Sequence, residues 1–357
     1  MVAKYTIALD CMGGDKAPQI VIEGADIIAS KNFDVHFRLY GNAKKVLPII
    51  NHCRYLKGRF DLIDTDQVVS ADEKPSNALR KLTKSSMRLA IDSVKDGESH
   101  AVVSAGNTGA LMAISKVILR PLPSIERPAI VTSIPNKKSK ATVFLDMGAN
   151  IECDSKVLFQ FAVMGNAFAR FALKIENPKI GVLNVGSEEL KGHEHVKNVA
   201  LILKNSQLKD NFYGYVEGDD IAKGTVDVVV TDGFTGNVTL KAIEGTVKFI
   251  SSVIKDGFTS SIRSKIGYVL SSNSLSNATK KIDPRMHNGA MLVGLNGVVV
   301  KSHGSTDAIG FANAIKVTIS LLENKINEKI IEEIIANESA MNSAINLKAE
   351  SDLNEQN

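Results

Sequence analysis

Four short polar loops in this chain each follow an apolar run, and their residue types suit the binding of an anion. They consist largely of Gly, Asn, Ser, Thr and Asp and span Asp10–Asp15, Ser104–Gly109, Asn184–Gly192 and Thr231–Asn237. In an α/β sheet, ligands bind where the carboxyl ends of strands lead through such loops into helix N-termini, whose N–H groups and dipole favour negative charge. Together with Lys191, these loops predict an enzyme that handles phosphate.

The first loop places two adjacent glycines, Gly13 and Gly14, after the acidic residue Asp10. Glycine permits positive φ angles and lets the backbone approach a ligand closely, which suits an anion-binding turn. A tight strand-to-helix turn without a ligand would use the same residues. The loop lacks the G-x-G-x-x-G spacing of dinucleotide-binding proteins.

The second loop, Gly106-Asn107-Thr108-Gly109, leads directly into an apolar helical pattern over 110–119. Asn107 or Thr108 is expected to cap that helix. A capping role leaves the other N–H groups of the loop for a phosphate oxygen or a thioester carbonyl, so both roles stay open together.

The third loop carries Lys191 close to Gly186 and Ser187, between a strand end and a helix start. A cation there would neutralise phosphate or a developing oxyanion, although a loop lysine is commonly just a solvated charge. The following His-Glu-His over 193–195 lacks the i, i+4 histidine pair of H-E-x-x-H, because alternate residues of a helix point apart. No metal site is therefore expected.

The fourth loop contains Asp232, Gly236 and Asn237. Because a carboxylate repels phosphate, Asp232 is expected to orient Lys191, a backbone amide or Asn237. Asn237 both donates and accepts hydrogen bonds, and is either a substrate-binding residue or a plain helix cap. Further along, His303 is a candidate proton donor to a leaving thiolate, or a structural histidine.

Composition places the chain among ordinary folded proteins, with 357 residues, 44% hydrophobic and 23% charged. A net charge of +4 is too small for a dedicated nucleic-acid protein. The three cysteines show no C-x-x-C spacing, so neither a disulfide frame nor a zinc site is indicated. Met1 leads at once into an apolar run and a polar loop, and no uncharged apolar stretch of membrane-spanning length occurs, which predicts a cytoplasmic enzyme.

Short, β-branched, almost unbroken apolar runs alternate with amphipathic segments, as in a parallel sheet covered on both faces. We expect one large α/β domain over 1–340, with a helical elaboration at about 238–285 and a polar tail over 341–357. The predicted strands are Tyr5–Asp10, Val35–Tyr40, Ala101–Ser104, Ala129–Ile134, Ala141–Asp146, Ile180–Val185, Phe212–Val216 and Val226–Thr231. The predicted helices include Ser76–Val94, Asp154–Leu173, His193–Asn205, 238–270 and a segment from Ile309 to Ile330.

Two segments are rich in basic residues and free of acids. One holds Arg80, Lys81 and Lys84, and the other spans Gly257–Ile282. Each is either a solvated face or a docking site for an acidic macromolecule. Within the second, Phe258–Leu270 has an apolar stripe beside basic residues, which predicts a helix at a membrane surface or one packed in a dimer interface or the core.

Taken together, these motifs resemble the bacterial phosphate acyltransferases of the PlsX family, over about residues 5 to 335. Two departures occur in the first loop, where Cys11 and Lys16 replace an alanine and a histidine that the family usually carries. The resemblance rests on Ile7–Asp15, Ser104–Gly109, Leu145–Asn150, Asn184–Gly192, Asp232–Asn237 and Gly297–Ser305.

The resemblance implies an isopropylmalate-dehydrogenase-like α/β/α fold, a homodimer, and transfer of a long-chain acyl group from acyl carrier protein to inorganic phosphate. The acyl phosphate would then pass to a glycerol-3-phosphate acyltransferase, and members associate with the membrane surface. It implies no cofactor, assigns activity to Lys191 and Asn237, and adds Asp146 and Asn150 to the substrate-binding candidates. A coenzyme A-dependent phosphotransacetylase, a nicotinamide dehydrogenase and a non-enzymatic binding module remain as alternatives.

Overall fold

A computed structural model describes residues 3–31, 33–138, 140–281 and 283–340, except for the side chains of 276–281 and residue 284. The described residues contain one sheet whose strands are mostly short and apolar. They are β1 Tyr5–Asp10, β2 Val35–Gly41, β3 Phe60–Asp64, β4 Ala101–Ser104, β5 Ala129–Pro135, β6 Ala141–Leu145, β7 Ile180–Leu183, β8 Phe212–Val216, β9 Val228–Val230, β10 Ala290–Val293 and β11 Val298–Lys301.

The strands lie in the order β3-β2-β1-β4-β11-β10-β5-β6-β9-β7-β8. The first five strands of this order, β3, β2, β1, β4 and β11, are parallel to one another. The last four, β6, β9, β7 and β8, are also parallel to one another. Between these groups, β10 is antiparallel to both β11 and β5, and β5 is antiparallel to β6. The two parallel groups therefore run in opposite directions within one sheet.

Helices cover both faces of the sheet, which confirms the predicted three-layer α/β class. Residues along β1 alternate between two cores, with Ile7 and Leu9 in one and Ala8 in the other. The helices are α1 Gln19–Ser30, α2 Ala43–His52, α3 Pro75–Lys81, α4 Ser86–Lys95, α5 Thr108–Leu119, α6 Ser155–Ala167, α7 Glu194–Lys204, α8 Gly218–Lys223, α9 Gly233–Thr259, α10 Ile262–Lys281, α11 Ala308–Glu323 and α12 Ile326–Ala336.

Three predicted helices are each divided in the structure. The segment from Ile309 to Ile330 forms α11 and α12, with a break at residues 324–325. The segment Ser76–Val94 forms α3 and α4, because the Ser85 side chain caps a new helix by accepting a hydrogen bond from the Arg88 amide. The segment 238–270 forms α9 and α10 with a break at residues 260–261, so a single helix over Phe258–Leu270 is wrong. The Phe258 and Tyr268 rings contact each other across that break.

The predicted polar tail over 341–357 lies outside the described residues. A single domain over 1–340 stays a prediction.

Candidate active site

The structure gathers the predicted loops at two edges of the sheet. At the first, Leu9 of β1, Val103 of β4 and Val300 of β11 stand in register, so Asp10, Ser104 and Lys301 lie at neighbouring strand ends. We call this the Asp10 edge. At the second, Leu145 of β6, Val230 of β9 and Val182 of β7 stand in register. We call this the Asp146 edge, which carries the loops of Asp146, Asp232 and Lys191.

Asp10 is buried, so its carboxylate contacts other protein groups rather than solvent. Its carboxylate accepts hydrogen bonds from the Ser86 and Ser104 hydroxyls at 2.6 and 2.7 Å and from the Met12 amide at 3.3 Å. Burial raises the pKa of Asp10, while these donors lower it. Ser104 Oγ in turn accepts from the Gly106 amide, so Asp10 fixes the first two loops against each other.

Most N–H groups of the first loop are used internally. Cys11 donates to the Tyr40 carbonyl, Met12 and Gly13 donate to Asp10, and Asp15 donates to the Gly304 carbonyl. The loop therefore has less capacity for an anion than its glycine content, including Gly14, suggests.

Asn107 is the cap of α5, as one of the two sequence interpretations expects. Its side chain accepts from the Ala110 amide and donates to the Ala71 and Glu73 carbonyls. Thr108 and Gly109, by contrast, are exposed at the start of α5.

Asp146 is the counterpart of Asp10 at the second edge. Its buried carboxylate accepts from the amides of Ile130, Ala149 and Asn150 and from the Asn150 side chain, at 2.8 to 3.1 Å. Burial raises the pKa of Asp146 against the effect of these donors. Asn150 also donates to the Pro128 carbonyl, so Asp146 and Asn150 together hold the loop between them in one shape.

The first turn of α9 packs directly on that loop. Asp232 caps the helix by accepting from the Thr235 amide and hydroxyl at 2.8 Å, which is one of its three predicted roles. The Gly233 amide donates to the Asn150 carbonyl at 2.7 Å. Gly236 is buried, and a Cβ at that position would overlap the carbonyl oxygen of Asp146. Gly236 thus permits a close helix-to-loop contact.

We expect Gly236→Ala to lower the free energy of unfolding by about 2 kcal/mol, because the helix and the Asp146 loop must separate to admit the methyl group. Gly245→Ala is the matched control, since it lies on the same helix and an added Cβ there meets no atom within 4 Å. The control should be neutral or stabilising by up to about 1 kcal/mol. Urea denaturation of both variants measures the difference, and equal stabilities would contradict the packing argument.

Asn237 lies one turn inside α9, so it is not the N-cap that one sequence interpretation proposed. Its side chain is exposed, and a Cβ on Gly148 would stand 3.4 Å from the Asn237 Cβ. Within the described residues, no hydrogen bond involves the Asn237 amide group. It is thus available to a substrate.

Lys191 lies on the neighbouring loop of the Asp146 edge, after β7. Its amine is 2.6 Å from Glu188 Oε1, and both side chains are more than half exposed. The hydrogen bond and charge of Glu188 raise the pKa of Lys191. Gly186 is buried beneath the lysine, whereas Ser187 is exposed. Among the described residues no hydrogen bond or ion pair joins Lys191 to Asn237, although their loops follow neighbouring strands.

His303 belongs to the Asp10 edge. Its Nδ1 accepts from the Ser305 amide at 3.3 Å, which leaves the proton of the neutral ring on Nε2. Nε2 lies 3.9 Å from Glu244 on α9. Burial lowers the pKa of His303, so the neutral form is favoured at pH 7.

Helix α9 spans the space between the two edges. Asn237 lies near its start at the Asp146 edge, and Glu244 faces His303 of the Asp10 edge two turns later. Seven residues of α-helix extend about 10 Å. The helix therefore connects Asn237 at the Asp146 edge with His303 at the Asp10 edge.

Sequence reasoning missed the side chains that support these edges. Ser86 and Ser104, which hydrogen-bond Asp10, lie 76 and 94 residues from it along the chain. Lys301 lies within Gly297–Ser305 but was not a candidate residue of its own. Its position directly after the apolar run Val298–Val300, where a strand ends, was the available signal.

Solved structures with a similar fold show which fold class the chain has. A phosphotransacetylase from Streptococcus pyogenes aligns with a TM-score of 0.60 at 16% identity, covering 89% of this chain and 94% of that one. A phosphotransacetylase from Staphylococcus aureus gives a TM-score of 0.56 at 16% identity, covering 88% and 93%. The chain thus has the phosphotransacetylase-like α/β fold.

Sequence comparisons define the family. A model described as "Fatty acid synthesis protein" matches residues 5–329. A phosphate acyltransferase of Parvibaculum lavamentivorans is 50% identical over 335 residues, covering 94% of this chain and 92% of that protein. The phosphate acyltransferase of Ehrlichia chaffeensis is 50% identical over 332 residues, covering 92% and 98%. The chain belongs to this family of phosphate acyltransferases.

Within the described ranges, every helix is too short or too polar to cross a membrane.

Proposed function

We propose that this chain transfers a long-chain acyl group from acyl carrier protein to inorganic phosphate, and that the product supplies glycerol-3-phosphate acylation in phospholipid synthesis. Membership of the family makes it an enzyme that transfers an acyl group to phosphate. The observation that carries the proposal is the Asp146 edge, where Lys191 in the loop after β7 and Asn237 in α9 follow neighbouring strands. Among the described residues, no hydrogen bond engages the Asn237 amide group.

Phosphate is already a competent nucleophile at neutral pH, so the site needs to position it rather than to deprotonate it. A phosphate oxygen attacks the thioester carbonyl carbon, the tetrahedral oxyanion collapses, and the carbon–sulfur bond breaks to release the carrier thiolate. Lys191 neutralises the charge of the phosphate or of the oxyanion, and Asn237 hydrogen-bonds the reacting centre. His303 in its charged imidazolium form is the proposed proton donor to the thiolate, because the N–H of a neutral imidazole is a much weaker acid than a thiol.

Exposed apolar side chains around the Asp146 edge support the proposal that the substrate carries a long acyl chain. Leu190 is 90% exposed beside Lys191, Val185 is 77% exposed in the same loop, and Ile151 is 73% exposed after Asn150. Phe234 of α9 is exposed as well. Such side chains would be covered when a fatty acyl chain binds, whereas an acetyl group is too small to cover them.

The substrate is tested by supplying phosphate with palmitoyl-carrier protein, with acetyl-coenzyme A, or with NAD and a hydroxy acid. We expect palmitoyl phosphate from the first mixture and little product from the others. Preferential use of acetyl-coenzyme A would replace this proposal by a short-chain phosphotransacetylase.

The carrier protein is proposed to dock beside the Asp10 edge. Arg80 and Lys81 of α3 and Lys84 after it are exposed. Helix α3 packs against α5, and a Cβ on Gly109 would stand 2.9 Å from Pro75. Reversing these three charges should raise the KM for acyl-carrier protein but not for phosphate, because exposed charges act mainly on association with an acidic partner.

The control for that triple variant reverses three exposed lysines elsewhere, Lys57, Lys209 and Lys316. Steady-state kinetics at several salt concentrations measure both variants. An unchanged KM and salt dependence in the Arg80, Lys81 and Lys84 variant would move the docking site away from α3.

A homodimer and contact with the inner membrane surface are proposed for α9 and α10. Ile262 is 78% and Leu270 is 82% exposed in the monomer, and Ile266 and Val269 are exposed beside them. These apolar side chains, with Lys265 among them, suit either a second copy or an anionic lipid surface.

Flotation with anionic liposomes separates these two roles. An Ile262→Glu, Ile266→Glu protein that remains dimeric should no longer float with the vesicles, because two buried charges oppose insertion of the stripe. Flotation equal to that of the unaltered protein would exclude the membrane role. Loss of the dimer would instead assign the stripe to the subunit interface.

A further inference from the structure

Lys301 is a cation enclosed by the glycine loops of the Asp10 edge. It ends β11, its side chain is only partly exposed, and its amine donates to the carbonyls of Ala105, at 3.3 Å, and Ser302. Among the described residues, no carboxylate lies within the 4 Å of an ion pair. Enclosing an ammonium group without an anionic partner destabilises the folded protein, so the position of Lys301 requires an explanation.

We propose that Lys301 and the loops around Gly14 and Gly304 form an anion site for a phosphate group of a substrate, separate from the Lys191 loop. The inference rests on the proposed function, whose reaction brings two such groups: inorganic phosphate and the phosphate of the carrier's phosphopantetheine arm. The site lies at the edge next to α3, whereas Lys191 lies at the opposite group of strands.

The surroundings of Lys301 leave its charge only partly balanced. Asp10 faces it from β1 but is already bound by Ser86 and Ser104, and Asp15 faces it from the first loop. The positive charge of Lys241 on α9 lowers the pKa of Lys301, and the charge of Lys301 in turn lowers the pKa of His303. Lys241 pairs with Glu244 at 2.9 Å, so that carboxylate is engaged elsewhere.

The protonation of the Lys301 amine is expected to change when an anion binds. Burial lowers the pKa of Lys301 from its ordinary 10.5 to about 8, so roughly half of the molecules carry a neutral amine at pH 8. A bound phosphate group favours the charged form and would draw a proton from solution. Binding to Lys191 brings no such proton, because its pKa is raised rather than lowered.

Titration calorimetry at pH 8, in two buffers of different ionisation enthalpy, measures that proton. The probes are inorganic phosphate, 4′-phosphopantetheine, and pantetheine as the uncharged control. At least one phosphate probe should take up roughly half a proton more with the unaltered protein than with Lys301→Arg, whose guanidinium is always charged. Lys301→Met should bind that probe on the order of 10-fold more weakly or worse. Lys316→Met, an exposed lysine on α11, should match the unaltered protein.

The probe that shows both effects identifies which phosphate the site takes. Equal affinity and equal proton uptake in the unaltered, Lys301→Arg and Lys301→Met proteins, for both probes, would overturn the proposal. Because binding is measured without turnover, this result is independent of whether acyl phosphate is formed.

A stability measurement separates a binding role from a structural one. A lysine whose pKa is lowered by burial penalises the folded state while it is charged, so Lys301→Met should melt at a higher temperature than the unaltered protein at pH 7 without ligand. The difference should shrink as pH rises from 8 towards 10.5, where the folded protein releases the proton first. A lower melting temperature at pH 7 would show a structural role and overturn the proposal.

Discussion

Lys191→Ala is expected to reduce acyl phosphate formation roughly 100-fold or more, because it removes a charge that stabilises the phosphate or the oxyanion. The side chain is about half exposed and contacts Glu188 from its own loop, so its loss removes little packing. Circular dichroism melting of the variant should match the unaltered protein. The rate loss should appear in kcat as well as in the KM for phosphate.

Lys204→Ala is the control for this variant. Lys204 ends α7 and pairs with Glu189 at 2.6 Å, with a similar exposure and pair geometry, but it does not lie in the loop. Its rate should stay within about twofold, as for most surface changes. If Lys191→Ala and Lys204→Ala behave alike, Lys191 has no catalytic role.

Asp146→Ala is expected to lower the free energy of unfolding by about 3 kcal/mol or more. The carboxylate is fully buried and accepts from three backbone amides and the Asn150 side chain, which would all lose their acceptor. A buried donor without a partner costs about 1 to 3 kcal/mol, which sets this minimum. Urea denaturation followed by circular dichroism measures the loss.

The matched control is Asp154→Ala. Asp154 is also an aspartate that accepts from a backbone amide, that of Val157 at 2.9 Å, but it is exposed at the start of α6. Loss of such a cap costs about 1 kcal/mol. A cost for Asp146→Ala no larger than that of Asp154→Ala would show that the buried network contributes little.

The strands closest to the site were predictable because their patterns are local. The structure confirms Tyr5–Asp10, Ala101–Ser104 and Phe212–Val216 with the predicted bounds, since each is a short run rich in apolar residues that ends at a polar or glycine-rich turn. By contrast, β3 was missed, because Phe60–Asp64 is a half-exposed strand at the sheet edge with two acidic residues. β10 was missed within a glycine-rich stretch.

The two opposed groups of parallel strands could not be derived from the sequence. Strand direction depends on pairings such as that of Met291 with Val131, which are remote along the chain and leave no local pattern. The predicted loops do follow the carboxyl ends of strands. Because the two groups run in opposite directions, those ends lie at two different edges of the sheet. The family resemblance supplied the reaction, and Lys191 and Asn237 stay predictions until their variants are measured.

The cysteines also bear on the mechanism, because a thiolate could carry the acyl group. All three are buried, and burial raises the pKa of Cys53 to about 11 and that of Cys153 to about 12. Burial raises the pKa of Cys11 as well. A thiol that stays protonated is a poor nucleophile, so the acyl group is expected to pass directly to phosphate.

Direct transfer is tested by mixing palmitoyl-carrier protein with a stoichiometric amount of the enzyme, with and without phosphate. Mass spectrometry then records free carrier thiol, palmitoyl phosphate and any acylated enzyme. With phosphate, thiol and palmitoyl phosphate should appear in equal amounts. Without phosphate, the thioester should remain intact and the enzyme unmodified. Release of carrier thiol without phosphate, as free fatty acid or as acyl-enzyme, would contradict direct acyl transfer to phosphate.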